Sequence, residues 1–224
     1  MYFLQAAVLG VVVRRVEKKV HTRQALMLAA LQLVEGGQHF SSLSIREITR
    51  QTGVVPTSFY RHFRDMDDLG LALVDELSMI LRQLMREVRE SQANAAKPEQ
   101  LIRHSVDFFM QQVDANRGIF VFLTQELTGG SVAVRQAIRS ELNFFTNELV
   151  LDINRYRILP DLSREMLEAA ALLVIQIVSM AIVEWLDTAQ TLASQRETIR
   201  QRIVRQTQLT FLGASHWKEK EKTV

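Results

Sequence analysis

Residues 44–63 read SIREITRQTGVVPTSFYRHF, and few folds accommodate that order of residues. Ser44, Ile45, Arg46 and Glu47 have the S-x-x-E form in which a serine hydroxyl and a glutamate carboxylate satisfy each other's free backbone amides. A helix therefore starts at Ser44. Gly53 supplies a turn. Pro56 suits the first turn of the next helix, where no amide donor is needed. Phe59 and Phe63 are four apart and face one side, toward Ile45, Ile48 and a preceding helix. Two short helices around a tight turn, the second polar and basic, form a helix-turn-helix whose second helix enters the DNA major groove.

The residue types at the start of that second helix fit this use. Pro56, Thr57 and Ser58 lie in its first turn, and Tyr60, Arg61 and His62 follow on the exposed side. Hydroxyl, phenol and imidazole tips suit phosphate, and Arg61 suits bidentate reading of a guanine. Ser44 and Arg46, at the capped end of the first of the two helices, are expected on the DNA backbone, as are Lys19 and Arg23 from a helix before them.

Charge is divided the same way. Residues 14–64 hold nine Lys or Arg against three Asp or Glu, whereas the whole chain nets only +2. A basic head on a mildly acidic body is the pattern of a protein that meets phosphate at one end.

The remainder reads as helix. Nine Gly and three Pro in 224 residues disfavour a turn-rich β protein, and the absence of Cys excludes disulfides and thiolate chemistry. Leu26, Ala29, Ala30 and Leu33 make one face of a first helix, stopped by Gly36 and Gly37. Asp65, Asp67 and Asp68 cap a long fourth helix running to about Glu90. Further helices are expected at 99–114, 117–127, 131–154, 163–188 and 195–212. Residues 1–13 carry no charge and are too short to span a bilayer; they read as tail. The apolar run 169–183 is also too short, which predicts a cytoplasmic protein. The expected domains are a disordered or extended tail (1–15), a DNA-binding head (16–64), a body (65–214) and a charged C-terminal tail (215–224).

Six of the eleven Phe fall at 108, 109, 120, 122, 144 and 145. Adjacent Phe pairs project about 100° apart on a helix, so each pair faces two neighbours or lines a cavity. Leu77, Ile80, Leu81 and Leu84 give the fourth helix an apolar stripe toward them. The helix at 163–188 is apolar on nearly all sides, more than one small monomer buries. Its Leu172, Ile175, Ser179, Met180 and Val183, with Ile199, Ile203, Gln206 and Leu209 of the last helix, predict a four-helix interface in a homodimer. The five His are scattered without metal-ligand spacing, and no phosphate-binding Gly loop is present, so no enzyme is predicted.

The head resembles the amino-terminal domain of the TetR family of one-component transcriptional regulators, with Phe59-Tyr60-Arg61-His62-Phe63 matching the family's aromatic-Tyr-x-His-Phe ending. Val55 departs from a common capping Ser, and Met66 from a common phosphate-contacting Lys. The runs SLSIREI, VPTSFYRHFRDMDDLGLALVDE and LRQLMR further resemble bacterial repressors of unsaturated fatty acid synthesis and desaturation, the FabR and DesT type, over about residues 18–90. The resemblance implies an all-α, TetR-like homodimer on a palindromic operator in double-stranded DNA near lipid genes. Tyr60 and His62 would be phosphate contacts. A long-chain acyl-CoA or acyl-ACP would be the effector, with no resident cofactor. Acyl-chain contacts would then come from Leu77, Ile80, Leu81, Leu84, Phe108, Phe109, Phe122, Glu126, Phe144, Phe145 and Gln176. Arginines 82, 86, 89, 135 and 139 are candidates for the phosphates of the effector. The alternative is a multidrug sensor controlling an efflux operon, with Glu126 or Asp107 facing a cationic ligand.

Overall fold

The computed structural model describes the backbone of residues 2–92, 98–159 and 162–217, and their side chains except at 2–18, 91, 92 and 98. Among these residues there are nine α-helices and no strand. They are α1 (Tyr2–Glu35), α2 (Ile45–Thr52), α3 (Pro56–Phe59), α4 (Met66–Gln92), α5 (Pro98–Ala115), α6 (Arg117–Glu126), α7 (Val132–Arg155), α8 (Arg164–Asp187) and α9 (Ala193–Ser215). A 3-10 turn at Phe40–Ser42 precedes α2.

The head is α1 to α3 with the start of α4. Ser44 caps α2 in a full capping box: its hydroxyl accepts from the Glu47 amide at 3.2 Å, and the Glu47 carboxylate accepts from the Ser44 amide at 2.8 Å. Gly53 ends α2 at φ 69°, a left-handed conformation that a residue with a Cβ adopts only at a cost. Leu26, Ala30, Ile48, Phe59, Phe63 and Leu69 fill the head's core. Beyond it, α4 to α9 form the body, in which α8 packs between α7 and α9, and α6 lies under α1. At α4, Asp65 accepts from the Asp68 amide at 2.8 Å, and Asp67 and Asp68 occupy the first turn. Gly70 lets α4 pass close to its neighbours, since a Cβ there would stand 2.7 Å from Val134 Cγ2 and 3.1 Å from the Phe40 ring.

Three expectations change. The helix α1 begins at Tyr2, so the backbone of the segment read as an extended tail is helical. Extending an existing helix through Pro-free, Ala-, Leu- and Val-rich sequence needs no new nucleus. The second reading helix is only one α-turn long: after Phe59 the chain tightens, His62 donating to the Phe59 carbonyl at 2.8 Å, as both Phe rings are drawn into the core. The helix α8 exceeds its apolar run, and an 18-residue stretch of it, with mean hydropathy 2.3, makes it long and apolar enough by composition to cross a membrane. Here it packs against α6, α7 and α9 instead. The charged tail at 218–224 and the break at 93–97 lie outside the described residues.

Candidate functional site

The reading surface is set by what the two Phe rings do. With Phe59 and Phe63 buried, Pro56, Thr57, Tyr60 and Arg61 are left facing outward, and Ser58 is half-buried. Tyr60 is 61% exposed and rests its ring edge-on against Phe59 at 5.7 Å, which aims the phenol at solvent. Arg23 lies over the Phe63 ring at 5.1 Å, and Lys19 and Arg23 are exposed. Burial pushes the His62 imidazole below its ordinary range, and the positive charges of Lys19, Arg23 and Arg61 add to the effect. These four residues therefore share one electropositive surface. The buried His62 Nδ1 has no hydrogen-bond partner among the described residues, so an external contact falls to the other ring nitrogen.

Ser44 is committed elsewhere. Its hydroxyl donates to the Glu47 carboxylate at 2.7 Å, and that carboxylate already sits on the amide end of α2. The Ser44 hydrogen bond holds Glu47 below the usual carboxylate range. Ser44 and the helix terminus thus serve capping, while Arg46 remains exposed.

The second feature is an interior cavity of about 510 Å³ walled by α4 to α9. Of the expected acyl-chain residues, Leu81, Leu84, Phe109 and Phe145 line it. Leu77 lies nearer the head and is buried in packing, with Ile80 against the same core. Phe122 is turned toward the head and meets Phe40 edge-on at 4.9 Å. Phe144 is on the outside under Arg82, whose guanidinium is 4.5 Å above the ring. Phe108 is off the wall, and Gln176 is exposed on the outer face of α8. Adjacent Phe residues do project to different sides, so one of each pair reaches the cavity, Phe109 of 108/109 and Phe145 of 144/145; of Phe120 and Phe122, two apart, Phe120 lines it.

Glu126 is 1% exposed but belongs to a different hollow, at the junction of head and body, with Phe40, Met66, Asp67 and Ser131. Burial pushes its carboxyl above the ordinary range, against the pull of His39 and Arg135. Asp107 is paired with Arg200. Neither acid therefore lines the cavity; the acid that does, Asp152, is paired with Arg89. Arg82 is paired with Glu141 at 3.1 Å, Arg89 with Glu148 and Asp152 at 2.7 and 2.9 Å, and Arg135 with the Gly129 carbonyl. Arg86 and Arg139 are exposed. At the cavity rim, Tyr156 is flanked by exposed Arg155 and Arg157, two cations that the sequence reading had not singled out.

The expected dimer residues divide. Ile175, Ser179 and Ile203 line the cavity and Ile199 is in the core, so they face inward. Leu172, Met180, Val183, Gln206 and Leu209 face outward, Met180 at 73% and Leu209 at 65% exposure. With Leu173 and Leu212 they leave a largely apolar stripe across α8 and α9 that is exposed among the described residues.

The expected helix at 117–127, α6, makes a double contact that its sequence did not indicate. Phe120 and Leu123 of α6 line the cavity, while on the head side Gln125 accepts from the Phe40 amide and donates to the Gln38 carbonyl, both at 3.3 Å. Arg117 of α6 approaches Glu35 of α1 at 3.8 Å. The helix α6 therefore touches cavity and head at once, as α4 does through its length.

Residues 28–73 match the model described as "Bacterial regulatory proteins, tetR family", and residues 98–212, just over half of the chain, match "Tetracyclin repressor-like, C-terminal domain". Among solved structures, a TetR-family transcriptional regulator from Syntrophomonas wolfei is similar at 14% identity and TM-score 0.67, over 85% of this chain and 95% of that one. FadR from Bacillus subtilis in complex with stearoyl-CoA is 13% identical, with TM-score 0.63 over 85% and 98%. FadR from Thermus thermophilus in complex with lauroyl-CoA is 18% identical, with TM-score 0.60 over 89% and 97%. At these identities the likeness is one of fold.

Proposed function

The chain belongs to the tetR family of bacterial regulatory proteins, DNA-binding regulators that respond to a ligand, and from that premise we propose a homodimeric repressor controlled by a long-chain fatty acyl thioester. The observation that carries the reading is the cavity. It has the volume of a ligand site, its wall is almost wholly aliphatic and aromatic, and two of its walls, α4 and α6, reach the head. An aliphatic chain suits such a wall. The exposed Arg155 and Arg157 beside Tyr156 suit the phosphates of a coenzyme A or acyl-carrier head group at the rim. Two proteins of the same fold carry acyl-CoA, stearoyl-CoA in one and lauroyl-CoA in the other.

The apolar stripe on α8 and α9 is the dimer interface in this reading, and two-fold symmetry presents two heads to a palindromic operator. The resemblance of residues 18–90 to repressors of unsaturated fatty acid synthesis supports target genes of that class. A ligand shifts DNA affinity only by the ratio of its affinities for the two head spacings.

Native mass spectrometry of the purified protein, followed by DNA titration with and without palmitoyl-CoA, oleoyl-CoA and their acyl-carrier forms, tests this. A dimer whose operator affinity changes with one of these thioesters is expected. A monomer overturns the interface, and a dimer indifferent to all of them overturns the effector. Tyr60→Phe is expected to weaken all DNA sequences equally, as loss of a phosphate contact does. Loss at a single base pair would contradict that role.

A further inference from the structure

The cavity wall is not uniformly apolar. Three hydroxyl-bearing residues belong to it: Ser105 of α5, Ser179 of α8 and Thr207 of α9. Thr207 is 5% exposed, and its hydroxyl has no hydrogen-bond partner. That is unusual in this chain. Thr49, Ser78 and Thr146 each return their hydroxyl to the carbonyl four residues earlier at 2.8–2.9 Å. So does Thr210, one turn further along the same helix, at 2.9 Å. The hydroxyl of Thr207 has forgone the cheapest partner available to a helical threonine. A buried polar group left unpaired costs stability and calls for an occupant.

Each of the three residues lies within the run of wall residues on its own helix. Along α9 the cavity is lined by Ile203, Thr207 and Phe211, with Thr207 in the middle. Ser105 lies between Leu101 and Met110 on α5, and Ser179 between Val174 and Ile182 on α8. Polar groups at the rim would suit a thioester head. Thr207 stands instead in the middle of the α9 wall, where a plain hydrocarbon chain offers its hydroxyl nothing.

We infer that the ligand is an aliphatic chain carrying an oxygen, a hydroxyl or a keto group, part way along its length, bonded by Thr207. This rests on the acyl-chain reading of the cavity and narrows it. An oxygen at mid-chain satisfies Thr207, whereas a plain chain leaves the hydroxyl unpaired against methylenes. Discrimination by such a site comes chiefly from rejecting the analogue that lacks the bonding group.

The test compares octadecanoic acid with its 9-, 10- and 12-hydroxy isomers, each as its coenzyme A thioester, by calorimetric titration of the full chain. At least one hydroxy isomer is expected to bind about fivefold more tightly than the plain thioester, the worth of one net buried hydrogen bond. Thr207→Val, close in shape but without the hydroxyl, is expected to erase that preference while binding the plain thioester as well or better. Thr207→Ser is expected to keep it. Equal binding of all four thioesters, or a preference untouched by Thr207→Val, overturns the inference and leaves the acyl reading standing, with water as the partner of Thr207. Binding of none of the four thioesters overturns both.

Discussion

Replacing Asp114 by Asn is expected to destabilise the body by about 3 kcal/mol, because Asp114 is the counter-charge of a buried arginine. Arg196, at the start of α9, is buried; it donates to the two Asp114 oxygens at 2.7 and 3.0 Å and lies 4.3 Å over the Trp185 ring. The Trp185 indole donates to the same carboxylate at 3.0 Å, and Arg196 also donates to the Thr188 carbonyl at 3.3 Å. One carboxylate on α5 thus joins the end of α8 to the beginning of α9. Asn is nearly the same shape and still accepts from Trp185, so packing changes little. It removes the charge, and its amide faces guanidinium donors. Breaking one side of a buried pair costs about 3–5 kcal/mol, and the lower end applies because Asp114 keeps 28% of its side-chain surface in water. Urea unfolding at one fixed protein concentration measures the loss, with Trp185 near-ultraviolet dichroism as a local probe. The double variant Asp114→Leu/Arg196→Met is expected to lose far less than the sum of its single changes, since no charge is left stranded. A loss below about 1 kcal/mol for Asp114→Asn, or strict additivity in the double variant, would refute the reasoning.

Ser44→Ala is expected to cost about 1 kcal/mol of stability through the lost cap of α2, measured by thermal or urea unfolding, with the slope in urea unchanged. Glu126→Gln is expected to stabilise the protein at pH 7 and to make no difference at pH 3. The raised carboxyl pKa means that the folded state holds its proton longer than the unfolded one, so stability falls as pH rises above the ordinary glutamate value of about 4.5. A pH-independent effect of the substitution would assign Glu126 to packing alone. Met180→Glu with Leu209→Glu places like charges on the outer stripe and is expected to yield a folded monomer by sedimentation; an unchanged dimer would place the interface elsewhere.

The helical course and the head were legible in the sequence because they depend on local chemistry. The capping box, the Gly turn and the Phe59/Phe63 spacing act within a few residues of themselves, so reading them needs no knowledge of the rest of the chain. The ends of α5 to α9 lie within three residues of their expected positions for the same reason. What the sequence could not determine was direction. Phe108 and Phe109, or Leu172 and Ile175, are equally apolar as letters, and only the packing of α4 to α9 decides which enters the cavity, which joins the core and which is left outside. The place of Glu126 at the junction with the head, the double contact of α6 and the unpaired hydroxyl of Thr207 depend on neighbours far along the chain. Local pattern carries no record of them; they were decided when the helices closed around a space that none of them encloses alone.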